Sequence, residues 1–504
     1  MSVSKKQPPL KFDDREDFNR LRDVLAAAEF SESGVAEALG IEEARAVAHR
    51  DRSLLMRQTA EPTPLNTFIR LLLIGVPADT EAARAAIAPM TLDQWCGAGL
   101  LRMEAGGVVA TVQVLPFQEL LLAFDRPQEI QSGLSEDYVM GIGSSTLTLA
   151  NLTVRHPAKA ALDLGTGCGL LAFLAARHSQ QVVAVDCNPR AVQIADFNAR
   201  LNDLSNVECL EGDLFEPVFG RQFDLVVSNP PFVISPETRY IYRDSGMLGD
   251  EVTRRIVAQV PGVLTDGGDG DGGGYCQILC NWAHIEGQSW QQRLAGWFDG
   301  TGCDAWVMRT DTLDGPAYAA KWIRHTERDD EETFRRRFEE WTEYYEQQGI
   351  EAVSGGLITM RRRSGGSNWY KTDDGPEKML GPAGNDVALL FSLHDFLDAN
   401  RDDNRLLGRK LRVSPDVRLQ QSFAPSDEGW SVTESHLERC SGLAYSGNAD
   451  PYIARLMARC NGQHSLAELL GEMAASLGNQ PDQLAAALLD VVRRLIERGF
   501  LLPE

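Results

Sequence analysis

Short apolar runs alternate with amphipathic stretches through the middle of the chain. Ala160-Ala161-Leu162-Asp163-Leu164 reads as a short buried strand, Gly165-Thr166-Gly167-Cys168-Gly169 breaks it, and Leu170 to Arg177 carries a helical pattern. A second strand, Gln181 to Val185, ends in Asp186, after which Asn188 and Pro189 cap and open a helix. A third, Val207 to Leu210, runs into Glu211-Gly212-Asp213-Leu214, and a fourth apolar run, Phe223 to Ser228, into Asn229-Pro230-Pro231-Phe232. Tyr275 to Cys280, Asp304 to Arg309 and Ile350 to Arg361 supply three more strands. Strands alternating with helices predict an α/β, Rossmann-like sheet of seven strands. The polar turns then fall at strand carboxyl ends, where open α/β sheets bind ligands.

The flanks follow other patterns. Up to about Arg126 the chain reads as helical, with Phe18, Leu21, Val24 and Leu25 on one face. Val35 to Ile41 is similar to the start of a DNA-binding helix-turn-helix, yet the following Glu42-Glu43-Ala44-Arg45 is too acidic for a recognition helix. Leu100 to Met103, a Gly106-Gly107 turn and Val108 to Val114 predict a wing-like hairpin. Between the last two strands, Ala317 to Gln348 reads as a two-helix insert carrying Trp322, Phe334, Phe338, Trp341, Tyr344 and Tyr345, spaced by three and four for packing on the sheet, with a lid or substrate wall as the alternative. Near the end, Ser465 with Glu468 forms a capping box, Leu484, Leu488, Val491 and Leu495 a stripe, and Phe500 to Leu502 a strand. The expected organisation is therefore a helical, winged-helix-like domain (1–128), the α/β domain (129–365, insert about 315–349), an irregular connecting segment (366–433) and a winged-helix-like C-terminal domain (434–504).

A net charge of −23 over 504 residues argues against nucleic-acid binding by bulk charge. Local contact stays open through Arg361-Arg362-Arg363, beside Gly365-Gly366 and Trp369-Tyr370, whereas Arg335-Arg336-Arg337 has acidic neighbours suited to ion pairs. Nine cysteines without a C-x-x-C pair suggest reduced thiols and no metal site. No stretch reaches membrane-spanning length, so a cytoplasmic protein is expected. Asp266 to Gly274, rich in Gly and Asp, reads as a loop.

Glycines at the first turn allow close backbone approach to a ligand, and the helix start behind them offers free N–H groups. The spacing is G-x-G-x-G rather than the G-x-G-x-x-G of dinucleotide sites. Asp186 stands about where an acidic side chain meets ribose hydroxyls.

Asp163-Leu-Gly-Thr-Gly-Cys-Gly, Asp186-Cys-Asn-Pro, Gly212-Asp213-Leu and Asn229-Pro-Pro-Phe, in this order, resemble the class I S-adenosylmethionine-dependent methyltransferases, and within them the "small domain" N-methyltransferases. The resemblance covers about residues 135 to 310. It implies S-adenosyl-L-methionine as cofactor, with Asp163, Gly165, Thr166, Gly167 and Gly169 at its methionine part, Asp186 and Asn188 near the ribose and Asp213 near the adenine. Gly141, Gly143 and Ser145, upstream, would touch the methionine part as well. It makes Asn229, Pro230, Pro231 and Phe232 the acceptor-gripping residues, Asn229 also bordering the donor. The implied acceptor is a planar nitrogen. Arg243 to Val252 is similar to the glutamine-methylating branch, which implies a protein glutamine amide in a partner such as a translation factor. Leu279-Cys280-Asn281-Trp282 resembles the ribosomal RNA branch, which keeps an exocyclic base amine (guanine N2 or adenine N6 of RNA or DNA) as the alternative. A non-catalytic binding protein on the same fold is a third reading.

Overall fold

The helix Arg15–Ala27 starts where the Asp14 side chain accepts the Glu16 amide, and it buries Phe18, Leu21, Val24 and Leu25, the face read from the sequence. Helices Glu32–Leu39, Arg52–Gln58, Thr80–Ile87 and Leu92–Gly97 follow. The wing-like hairpin is β1 (Leu101–Glu104) with β2 (Gly107–Ala110), paired antiparallel. β2 ends short of expectation: Thr111 N–H still donates to Leu100 O (3.0 Å) and its hydroxyl to Gly99 O, and the pairing with β1 breaks there. Beyond that break a second hairpin forms, β3 (Val112–Phe117) with β4 (Leu120–Asp125), turned by Gln118 and Glu119 at φ 45° and 69°.

The computed structural model describes residues 9–126, 137–236, 243–244, 246–267, 272–326, 331–363, 367–426, 429–478 and 481–504. Leu134, part of the Asp266 to Gly274 loop, and Gly365-Gly366 lie outside the described residues. The chain divides into two units, Met1–Leu149 with Pro157–Asp373, and Ala150–His156 with Asp374–Glu504.

In the first unit β5 (Ala158–Leu164), β6 (Ser179–Asp186), β7 (Val207–Glu211), β8 (Leu225–Ser228) and β9 (Tyr275–Ile285) run parallel. β11 (Ile350–Arg362) is antiparallel to β9 and to β10 (Cys303–Asp314). The sheet order is β12-β10-β11-β9-β8-β5-β6-β7. Seven strands were expected; the eighth, β12 (Tyr370–Asp374), is docked beside β10 by Ala305 N–H donating to Trp369 O (2.8 Å) and Trp369 N–H to Asp304 Oδ1 (3.2 Å). Strand order reverses between β5 and β8, which opens a crevice at their carboxyl ends. Leu162, Val183, Val226, Ile256, Ile278 and Trp282 pack the core beneath it, each aliphatic side chain contributing about 1.5–3 kcal/mol by burial.

The insert forms helices Gly315–Thr326 and Glu331–Gln348. Trp341, Tyr344 and Tyr345 are core, while Trp322, Phe334 and Phe338 are only partly buried against it. Arg361 is 3% exposed and donates to Asp304 Oδ2 at 2.6 Å. Arg362 donates to Thr301 O, and Arg363 lies 3.7 Å from Asp304. Arg361 and Arg363 thus share the one buried carboxylate of Asp304 while Arg362 holds a backbone carbonyl, contacts that do not support the phosphate contact read from the sequence.

Residues 366–433 are not an irregular connector. They hold β12, β13 (Met379–Leu380), the helix Gly384–Ala399, β14 (Lys410–Val413) and most of a long ribbon, β15 (Val417–Ser426) with β16 (Gly429–Arg439). Arg439 ties this unit together, reaching both Asp386 and Asp416 at 2.9 Å. The boundary drawn at 434 cuts β16. It also parts β14 from its two partner strands, Asn461–Ser465 and Leu501–Pro503, the latter the expected last strand. Ser465 and Glu468 do form the capping box; of the stripe, the Leu484 side chain lies outside the described residues, and Leu488 and Leu495 are buried. Among the described residues no helix is long and apolar enough to cross a membrane.

Candidate functional site

The turn after β5 is shaped by left-handed glycines. Gly167 has φ 56° and points its N–H at Asp186 Oδ2 (2.9 Å), so the turn is tied to the end of β6. Gly169 has φ 93° and starts the helix Leu170–Ala176, and a Cβ there would come 2.3 Å from the Phe173 ring. Asp186 Oδ1 accepts the Asn188 N–H (2.9 Å), and Asn188 Oδ1 accepts the Arg190 N–H (2.9 Å) to cap the next helix. Burial raises the Asp186 carboxyl above the ordinary carboxylate range, against the pull of these amides.

A cavity of about 190 Å³ lies over these turns at the β5–β8 crevice. Gly165, Thr166, Gly167, Asp186, Asn188 and Asp213 line it, together with Asn229, Pro230 and Pro231 from the turn after β8. Asp213 is half exposed and lies 3.7 Å from Arg255. The segment Tyr138 to Gly141 walls the cavity, and Met247, Val252 and Ile256 add apolar surface. Of the upstream trio, Gly141 faces this cavity, whereas Gly143 and Ser145 face a second one described below. Sequence reading missed Tyr138 and Met140, for no motif marks them.

Asp163 and Gly169 are not among the residues lining that cavity. Asp163 is fully buried, accepting the Thr166 hydroxyl (2.7 Å) and the Ala172 N–H (3.0 Å) on Oδ2, while Oδ1 has no partner. Burial pushes its carboxyl up to about 7, although both hydrogen bonds pull the other way. Between the ordinary 3.8 and about 7 the unfolded chain therefore releases a proton that the folded chain keeps, so stability falls as pH rises through that window and levels off above it. Asp163→Asn is expected to remove this slope, about 4 kcal/mol over the window. Urea unfolding of both proteins at pH 5, 6, 7 and 8 checks it; parallel curves would refute a neutral buried carboxyl.

Asn229 stands between two cavities. Its Nδ2 donates to Ser145 Oγ (3.3 Å) and Thr146 Oγ1 (3.1 Å), which fixes the amide plane, and its Oδ1 is buried without a partner. Buried carbonyl oxygens are rarely left unpaired, which leaves this one open to a donor from water or a ligand. On the far side of Asn229 lies the second cavity, of about 560 Å³, which shares Met140, Asn229 and Pro230 with the first. Phe232 lines it, with Trp322 at its edge (ring centroids 6.3 Å apart, 72° between planes). Tyr318, Lys321 and Trp322 of the insert and Asn281 of β9 complete the walls. Tyr318 OH takes the Ile234 N–H (3.2 Å) and the Asn281 amide (2.6 Å). Trp322 thus lines this cavity as well as packing on the sheet, and so does Tyr318, which sequence reading did not single out. Arg243 brings no free charge, being chelated by Asp244 at 2.8 and 2.9 Å.

Residues 139–269 match the family model "Methyltransferase small domain". Residues 27–111 and 389–503 match two domains of unknown function. The chain is similar to a protein of Methanocaldococcus jannaschii provisionally named a protein N5-glutamine methyltransferase, 37% identical over 131 residues, 25% of this chain and 65% of that one. It is 35% identical over 167 residues to the release factor glutamine methyltransferase of Geobacter sulfurreducens, covering 30% and 54% of the two chains. With the ribosomal protein uL3 glutamine methyltransferase of Bradyrhizobium diazoefficiens it shares 37% over 144 residues, 26% and 44%. The chain thus spans about half the length of the relatives it matches. Its central α/β segment is of the class I methyltransferase small-domain type.

Proposed function

We propose that this methyltransferase-type chain transfers a methyl group to a planar nitrogen, and that the acceptor is a glutamine side-chain amide of a protein. The observation that carries the reading is the unpartnered, buried Oδ1 of Asn229 at the junction of a glycine-walled cavity and a wider one. The relatives' names, each a glutamine methyltransferase, support the amide.

S-adenosyl-L-methionine fits the narrower cavity by donor set: glycine backbone at one end and the carboxylates of Asp186 and Asp213 for hydroxyl and amine groups at the other. When bound, that cofactor supplies an electrophilic methyl group. The chain's own task lies with the acceptor. An amide nitrogen is a poor nucleophile because its lone pair is delocalised into the carbonyl. Asn229 Oδ1 would accept one N–H and the Pro230 carbonyl the other, favouring a tetrahedral nitrogen as positive charge grows on it. Phe232 would stack on the amide plane, with Trp322 limiting the size of the group. Proline suits the turn because it brings no competing N–H. The nitrogen's proton leaves to water after transfer.

A base amine is the less favoured acceptor, since the net charge is −23 and Arg361 is paired with the buried Asp304. The deciding test uses tritiated S-adenosylmethionine and a lysate lacking this protein. Label that protease removes and nuclease spares supports the proposal; the reverse pattern replaces the glutamine amide by a base; no label despite donor binding leaves a binding protein.

A further inference from the structure

β4 belongs to the N-terminal hairpins, outside the residues matched by the methyltransferase model, yet it is bonded to both walls of the narrower cavity. Asn198, fully buried, accepts the Ala123 N–H (2.8 Å) and donates to Ala123 O (2.8 Å), so its amide extends β4 as a strand would. Its second N–H goes to Cys168 O (2.9 Å) in the glycine turn. Two residues along β4, Asp125 Oδ2 accepts the Val139 N–H (2.9 Å) and Asp125 N–H donates to Val139 O (3.1 Å). Asp125 Oδ1 takes Arg190 Nη2 (2.9 Å), both side chains being buried. Between them Phe124 lies so close to Gly141 that a Cβ there would come 2.6 Å from its ring. Val139 and Gly141 line one wall of the cavity and Cys168 the other.

We propose that the β3–β4 hairpin is a working part of the donor site, and that Asn198 and Asp125 are positioning residues that set the distance between its walls. The inference rests on the proposed use of S-adenosylmethionine. Neither residue lines the cavity; each acts through backbone that does. The Tyr138 to Gly141 segment has no strand of its own; Asp125 holds the backbone of Val139 within it, and Asn188 Nδ2 donates to Asp137 O just before it (2.9 Å).

Asn202 supplies an internal control. One turn further on, it clasps Leu121 N–H and O in the same way (2.8 Å each), but its remaining bond goes to Asn198 O and not to the glycine turn. Full-length wild type, Asn198→Ala and Asn202→Ala are titrated calorimetrically with S-adenosylhomocysteine, the unreactive product. Both variants should lose similar thermal stability. Asn198→Ala should bind about tenfold more weakly, the cost of one lost wall contact, while Asn202→Ala stays within about twofold of wild type. Should Asn198→Ala fail to fold, the double variant Asp125→Ala/Arg190→Ala removes the second tie without stranding a buried charge and should weaken binding likewise. Equal affinities for Asn198→Ala, or for the double variant, and Asn202→Ala would overturn the inference alone. A wild type that does not bind S-adenosylhomocysteine would overturn the proposed function, and the inference with it.

Discussion

Asn229→Ala is expected to lower kcat for methyl transfer about a hundred- to thousandfold, the range seen when one preorganised hydrogen-bonding group is removed from a transition-state site, with a far smaller change in donor affinity. The asymmetry follows from where the two ends of the side chain go. Nδ2 holds Ser145 and Thr146, two half-buried hydroxyls that water can satisfy, whereas Oδ1 has no partner until an acceptor nitrogen arrives. A contact made only with the reacting nitrogen lowers kcat and kcat/KM together. Asn229→Leu keeps the volume without the oxygen, and Asn229→Asp keeps oxygen acceptors in nearly the same shape. If the role is to accept an N–H, the aspartate variant should be the more active; if the residue merely fills space, leucine should be. Single-turnover assays with saturating donor separate the two.

The turns that line the narrower cavity were legible because each is written in consecutive residues. A glycine run after an apolar strand, or an Asp before Asn-Pro, dictates local backbone geometry whatever the rest of the chain does, and these turns meet once the strands align in parallel. What could not be read arises from pairings distant in sequence. Asn198 looks like any polar residue on a helix; its three bonds are set by a turn 30 residues away and a strand 75 residues away. Val112 to Val114 reads as the end of the wing's second strand, because its true partner, β4, lies outside that stretch. Residues 366–433 read as loop because their strands find partners elsewhere in the chain: β14 pairs with strands beginning at Asn461 and Leu501. The Arg361 run was misread for a related reason. Local composition shows three cations, and only the β10–β11 register, with Asp304 opposite Arg361, reveals the buried acid that pairs with the first of them.

The largest expected effect on binding belongs to Asp186, which does two things at once. Its oxygens hold Gly167 N–H and Asn188 N–H, joining the glycine turn to the cap of the next helix, and each oxygen keeps a further lone pair for a ribose hydroxyl. Asp186→Ala removes both and leaves two amide donors without acceptors in a largely buried place. The dissociation constant for S-adenosylhomocysteine should rise about a hundredfold or more, roughly 1–3 kcal/mol for the orphaned amides plus the lost ribose contact. Asp186→Asn is nearly isosteric but can offer only one oxygen, so its amide N–H₂ must face either the Gly167 or the Asn188 donor; it should bind almost as poorly. A pure ribose-binding role would instead leave Asp186→Asn close to wild type, because an amide can still hydrogen-bond a hydroxyl. Calorimetry on the two variants decides between these, and a donor affinity unchanged in Asp186→Ala would remove Asp186 from the site altogether.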